Sequence, residues 1–332
     1  MLSTILLIAL FFEMQSTDRS AQHKTKISLS GYVKDSETGA PLRSANVYLS
    51  NTTIGISTDS AGNFLITNIP TGVFDMVVSL VGYERKIIQL QIASQESLYY
   101  DIKLIPKILQ TNEVEITGVQ PTEWKENRDR FVEVFFGKSD FADSCTIINP
   151  EVINFQFFND TLIAQTDSIL QINNTAMGYR IHLILKEFVW NVDKDFGHYL
   201  IYPLFVPLQT INIKKQTEWT KNRQKAYMGS IKHFLKALVH KNTDENMFRI
   251  FAGRGHRIHP EDFEIEPLKG TPIFSLNFKG SLRVEYEKTT SIITMQMPYT
   301  YIDSLGNLFN PLSIEVSGMW ANKRVAELVP IY

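Results

Sequence analysis

A single cysteine, Cys145, stands in 332 residues, so no intramolecular disulfide can form and a small disulfide-stapled scaffold is excluded. An excess of charge of either sign is also missing. Lys and Arg number 33 against 35 Asp and Glu, a formal net charge of −2, which removes the global electrostatic footprint of a nucleic-acid binder or of a protein held by charge on an anionic membrane. With 17 Gly and 13 Pro the chain is neither collagen-like nor low-complexity. What is there, 44% hydrophobic and 20% charged, is an ordinary globular composition at a length that suits two domains.

The apolar run at residues 5–12 is too short to cross a bilayer as a helix. Followed by the polar stretch 13–26, it suits the hydrophobic region of a secretory signal. Residues 1–16 are therefore expected to be a signal peptide, although no basic residue precedes the run and Met14 stands where a small residue is preferred. The mature chain is expected in the periplasm or associated with an outer membrane, with no transmembrane span of its own. No cysteine directly follows the run to carry a lipid anchor, and Cys145 is expected in the core.

Between residues 26 and 107, runs rich in β-branched and aromatic residues recur at a spacing of about ten, each closed by turn residues. Strands are expected at 27–34, 45–49, 55–58, 63–67, 73–80, 85–92 and 97–104, with no helical period anywhere. Phe74-Asp75-Met76-Val77-Val78 and residues 87–92 read as alternating, one face of a half-buried antiparallel sheet. Asp35, Glu37 and Asp59 lack the ligand order of a calcium loop, so turn formation accounts for them.

Gly31-Tyr32-Val33, Thr38-Gly39-Ala40-Pro41-Leu42, Ala45-Asn46-Val47, Asp59-Ser60-Ala61-Gly62-Asn63-Phe64, Gly72 and Val81-Gly82-Tyr83 together resemble the carboxypeptidase-like regulatory domain. The resemblance implies a transthyretin-like seven-stranded β-sandwich. In its relatives this is an accessory or docking module without catalytic residues, found beside zinc carboxypeptidases and at the amino end of TonB-dependent outer-membrane receptors of Bacteroidetes-type bacteria. Residues 113–118 resemble the strand that leads into the plug of such receptors, but too few residues follow for a plug and barrel. Residues 108–120 read as a linker.

Residues 121–332 read as an α+β domain, predominantly antiparallel, because βαβ alternation is absent. A helix is expected from Pro121 towards Gly137, then strands at 152–158, 161–166, 168–173, 179–190 and 197–208. Helices follow at 217–227 and 230–240, the second with Ile231, Phe234, Leu235, Leu238 and Val239 on one stripe, and strands at 247–251, 273–278, 281–287, 292–297 and 312–316. The layout around Asn149-Pro150-Glu151, residues 174–179 and residues 227–235 resembles other carboxypeptidase-like regulatory proteins of such bacteria, which implies no mechanism. The two domains are expected to pack separately.

The chemistry-bearing residues do not assemble into a catalytic motif. No His is followed at the third position by Glu, as a zinc carboxypeptidase requires, and there is no Gly-x-Ser-x-Gly elbow or phosphate loop. His256 and His259 with Glu261, Asp262, Glu264 and Glu266 are metal-ligating types, but Arg254 and Arg257 interleave as in a solvated connection. Asp193 and Asp195 read as a hairpin tip. Between 214 and 241, Lys214, Lys215, Lys221, Arg223, Lys225, Lys232, Lys236 and Lys241 face a single acid, Glu218. Within that run Trp219, Lys221, Arg223, Lys225 and Tyr227 are the candidate ligand residues, rings to stack and cations to meet an acidic glycan or envelope partner. The competing reading is a solvated helix face. Four Asp-Ser/Thr-aliphatic tripeptides, at Asp59, Asp160, Asp167 and Asp303, match the O-glycan pattern of exported proteins in such bacteria or are simply turns.

No catalytic residue, cofactor or metal site is assigned. The expectation is a mainly β, α+β, non-enzymatic exported envelope protein that binds an envelope protein or glycan and no nucleic acid. The alternatives are a metal-dependent hydrolase centred on His256, His259 and Glu261, which rests on the family name alone, and an accessory binder of a TonB-dependent receptor.

Overall fold

The structure, a computed structural model, describes residues 27–92, 97–107, 122–253 and 255–331. The expected signal peptide at 1–16 and linker at 108–120 lie outside the described residues. The described chain is mainly β, with few helices.

Strands β1 (Ile27–Asp35), β2 (Asn46–Leu49), β3 (Gly55–Ser57), β4 (Asn63–Ile69), β5 (Gly72–Ser79), β6 (Lys86–Ile92) and β7 (Leu98–Leu104) form two sheets, ordered β4-β1-β7 and β3-β2-β5-β6. Burial alternates strictly along β1, as period-two side chains on a one-faced sheet require. Leu29, Val33, Val47, Phe64, Met76 and Ile102 fill the space between the layers, making a β-sandwich. β1 and β7 run parallel, while its other edge pairs antiparallel with β4.

β5 departs from the expected alternation. Phe74, Met76 and Val78 face the sandwich interior, but Val77 on the opposite face is equally buried. The strand is buried on both sides, and its nearly continuous apolar run is the mark of that.

Helix α1 (Thr122–Phe136) precedes β8 (Cys145–Ile147), β9 (Ile153–Phe158), β10 (Thr161–Thr166), β11 (Leu170–Asn174), β12 (Tyr179–Asn191) and β13 (Phe196–Pro207). These strands make one sheet, ordered β8-β11-β12-β10-β9, with β13 on the free side of β12. On one face α1 lays Phe131 and Phe135 against Phe188, with Phe131 meeting it edge-on at 4.9 Å between ring centroids. A register shift between Leu185 and Glu187 inserts one residue into β12, so Tyr179, Ile181, Leu183 and Leu185 before it share the buried face with Phe188 and Trp190 after it.

Helices α2 (Ile213–Tyr227) and α3 (Ile231–Val239) lead to β14 (Phe248–Ala252), β15 (His256–Ile258), β16 (Glu264–Pro267), β17 (Ile273–Asn277), β18 (Ser281–Tyr286), β19 (Thr289–Met295), β20 (Thr300–Asp303), β21 (Ile314–Gly318) and the single turn α4 (Met319–Asn322). The sheets β15-β14-β18-β19-β21 and β16-β17-β20 close with α3 over a core that includes Phe234, Leu238, Phe248, Leu276 and Ile293.

The expectation that the sandwich packs separately is overturned. Tyr48 and Val77, on the outer face of β2 and β5, pack against Ile184 and Tyr202 of the β12–β13 hairpin. The Tyr48 hydroxyl donates to the Tyr202 carbonyl at 2.9 Å. Main-chain bonds run from Asn51 N–H to Pro203 O (2.7 Å) and from Phe205 N–H to Thr52 O (2.9 Å). The carboxyl-terminal segment adds a strap: Ile331 donates to Asn51 O at 2.7 Å and places its side chain in the sandwich core. A sheet with apolar side chains on both faces needs a second partner, and here the same chain supplies it.

Candidate functional site

The basic run proposed as a ligand surface is largely engaged by the protein itself. Asn212 caps α2 by accepting from Lys215 N–H at 3.3 Å. One turn on, Trp219 is only 6% exposed and donates its indole N–H to Thr175 O at 2.8 Å. Its ring lies over Gly178, where a Cβ would fall 2.2 Å from the indole. Trp219 is therefore a packing residue and not a stacking platform, a correction that follows from the left-handed Gly178 (φ 69°) admitting the ring. Arg223 donates to the carbonyls of Met177 (2.7 Å) and Gly178 (3.2 Å) and lies 4.0 Å over the Tyr179 ring. Lys225 pairs with Asp140 at 2.8 Å, holding that carboxyl below its ordinary value. Tyr227 is half-buried, its ring 5.0 Å from that of His233. Lys221 is exposed.

The His256–Glu266 stretch does not converge on a metal geometry. Asp244 takes both Arg257 (2.7 Å) and His259 (3.5 Å), while Asp262 accepts the His259 N–H at 2.8 Å. Among the described residues no three His, Cys, Asp or Glu side chains are grouped as a metal ion would need. Cys145 is half-buried against the α1 core rather than fully enclosed, and burial pushes its thiol up to about 12, the opposite of an activated nucleophile.

The residues that do converge lie where α2, α3, the turn at 303–307 and the carboxyl-terminal strap meet beside the sandwich. There a cleft of about 300 Å³ is bounded by Tyr179, Arg223, Tyr227, Lys232 and Lys236 on one side and by Leu305 and residues 329–331 on the other. Lys232 also borders a smaller cleft of about 120 Å³ with Lys323, Arg324 and Glu327. It sits in the first turn of α3, which Ser230 caps by accepting the His233 N–H at 3.1 Å. Burial lowers its ammonium to about 7, partly opposed by the charge of Asp303 and reinforced by that of Lys236.

Asp303 is fully buried and already satisfied. One carboxylate oxygen accepts from Leu305 N–H and Asn307 N–H, both at 2.9 Å, and the other from the Asn307 side chain (2.8 Å) and from Val73 N–H of the sandwich (3.1 Å). None of Arg223, Lys232 and Lys236 forms an ion pair with an acid among the described residues. Sequence reasoning counted Lys232 and Lys236 in a basic run without separating them. The signal that singles them out is the apolar stripe of α3: both flank it, so both stand at the edge of a buried face.

Residues 29–116 match the family model of the CarboxypepD_reg-like domain. The amino-terminal sandwich is that domain. No curated protein matches the chain. Among solved structures it is similar to a type II cohesin–X-dockerin complex from Acetivibrio cellulolyticus, at 22% identity over 24% of this chain and 58% of that one, with a TM-score of 0.21. It is also similar to 3-chlorocatechol 1,2-dioxygenase from Rhodococcus opacus 1CP, at 15% identity over 25% and 61%, TM-score 0.21. A DUF3823 family protein from Bacteroides ovatus is matched over 56% of this chain and 82% of its own, at 12% identity and a TM-score of 0.20. The first two likenesses thus span less than two thirds of those chains. Among the described residues no helix is long and apolar enough to cross a membrane.

Proposed function

We propose that this chain is an exported, non-catalytic cell-envelope binding module. In this reading the CarboxypepD_reg-like domain at 26–107, with a transthyretin-like arrangement of its strands, is a docking platform for the α+β region at 121–332, and the two together present a ligand site to an envelope protein or glycan. The observation that carries the reading is the seam: the outer face of β2 and β5 is occupied by β12 and β13, and beside that junction opens a cleft rimmed by cations that no acid among the described residues pairs. The engagement of His259 with Asp244 and of Asp262 with the His259 main chain further supports binding over hydrolysis. The test is to assay the purified mature chain against peptide, ester and glycoside substrates, with and without chelator, alongside capture of partners from envelope fractions. Saturable binding without turnover is expected. Turnover lost on chelation or in His259→Ala would overturn it.

A further inference from the structure

We propose that the cleft between α2, α3 and the carboxyl-terminal strap binds a small organic anion, its carboxylate or phosphate oxygens held by Lys232 and Lys236 and its apolar body lying against Leu305 and Val329. This deepens the binding-module reading and rests on it. Three cations from two helices meet at one cleft, and no acid among the described residues pairs with any of them. Of the two carboxylates near Lys232, that of Asp303 accepts four N–H bonds already and is pinned to the sandwich through Val73, and that of Glu327 pairs with Lys323 at 2.9 Å. A cation withdrawn from water without a partner is unfavourable, and a bound anion removes that penalty by supplying both the countercharge and acceptors. The opposite wall is aliphatic, formed by Leu305, Val329, Pro330 and Ile331, and the half-buried Tyr227 also lines the cleft, so the ligand needs more than charge. A cleft of about 300 Å³ is in the range that takes a small molecule. The walls come from distant stretches of the chain, and Ile331 is locked by its bond to Asn51, so the shape is set by the fold.

Lys232 is faced by Lys236 on its own helix, Arg223 and Tyr227 from α2, Tyr179 from β12, Asp303 from the 303–307 turn, and Lys323, Arg324 and Glu327 from the carboxyl-terminal segment. Its ammonium, lowered to about 7 by burial, gains its proton as pH falls through neutrality, so anion binding strengthens in that direction and takes up a proton.

The experiment is calorimetric titration of the full chain with benzoate, inorganic phosphate and benzyl alcohol, from about pH 8.5 down to about pH 6. Benzoate is expected to bind saturably and more tightly at the lower pH, with proton uptake. Phosphate, lacking the apolar body, and benzyl alcohol, lacking the charge, are each expected about tenfold weaker. Lys232→Met is expected to weaken benzoate about tenfold, and Lys236→Gln, which alters a different side chain of the same helix, to weaken it in the same direction. No saturable benzoate binding, or binding unchanged in both variants, overturns the proposal. Phosphate binding as tightly as benzoate overturns the apolar half of the site. Turnover in the substrate assays would instead sink the binding-module reading while leaving these titrations interpretable.

Discussion

Asp59 and Asp303 close two turns of one pattern, Asp-Ser-x-Gly-Asn, and bond their own backbones in the same way. Each accepts through one oxygen from the N–H groups two and four residues on, Ala61 and Asn63 at 2.9 and 2.8 Å, and Leu305 and Asn307 both at 2.9 Å. Gly62 and Gly306 hold left-handed φ values of 80° and 82°, which is why glycine stands fourth in both. The difference is burial. Asp59 is exposed, whereas Asp303 is fully enclosed and also holds Val73 across the seam. Asp303→Ala should therefore cost about 3 kcal/mol, because it leaves enclosed N–H groups unpaired, whereas Asp59→Ala leaves groups that water can reach and should cost clearly less. Urea unfolding of the two variants side by side checks this, and equal losses would show that the local turn, not its burial, sets the energy.

Helix α3 carries a further consequence of partial burial. The folded-state value of Lys232 is lowered, so between about 7 and its ordinary 10.5 the unfolded chain binds more protons than the folded one. Stability contributed at this position therefore rises with pH across that window, and below it the penalty is constant. Lys232→Met should be more stable than the wild type near pH 7, by about 1–4 kcal/mol, with the gap closing as pH approaches 10. Denaturant titrations at several pH values give the sign directly. In the turn between β11 and β12, Gly178→Ala puts a Cβ into the indole of Trp219 from α2 at a left-handed position, and a loss of more than about 2 kcal/mol is expected in the same assay.

Much of this level was legible in the sequence. The strand at 161–166 and the stripe of α3 follow directly from periodicity, since each buries one face only. β8, β15, β16 and β20 were missed because three or four residues of mixed polarity contain too few periods to register. Trp219 was misplaced because its burial depends on Gly178, some forty residues earlier, and a distant glycine leaves no mark on the local pattern of a helix.

At the scale of the whole chain, the error of separate packing and its remedy lie in the same strand. β5 reads Gly-Val-Phe-Asp-Met-Val-Val-Ser, and the apolar residues on its second face were the visible sign of a second partner. Which partner it is could not be read locally, because Tyr48 meets Tyr202 across 154 positions of sequence. Because Met76 points into the sandwich and Val77 points into the seam, adjacent substitutions separate the two cores. Val77→Asp introduces an unpaired carboxylate between β5 and β12 while leaving the sandwich interior intact, so it should split a single cooperative calorimetric transition into two. Met76→Asp should instead remove the sandwich transition itself. If Val77→Asp melted as one transition at the wild-type temperature, the seam would contribute nothing to cohesion. The docking role assigned to the sandwich would then lose its physical basis, since a platform not held across the seam cannot set the geometry of the cleft beside it.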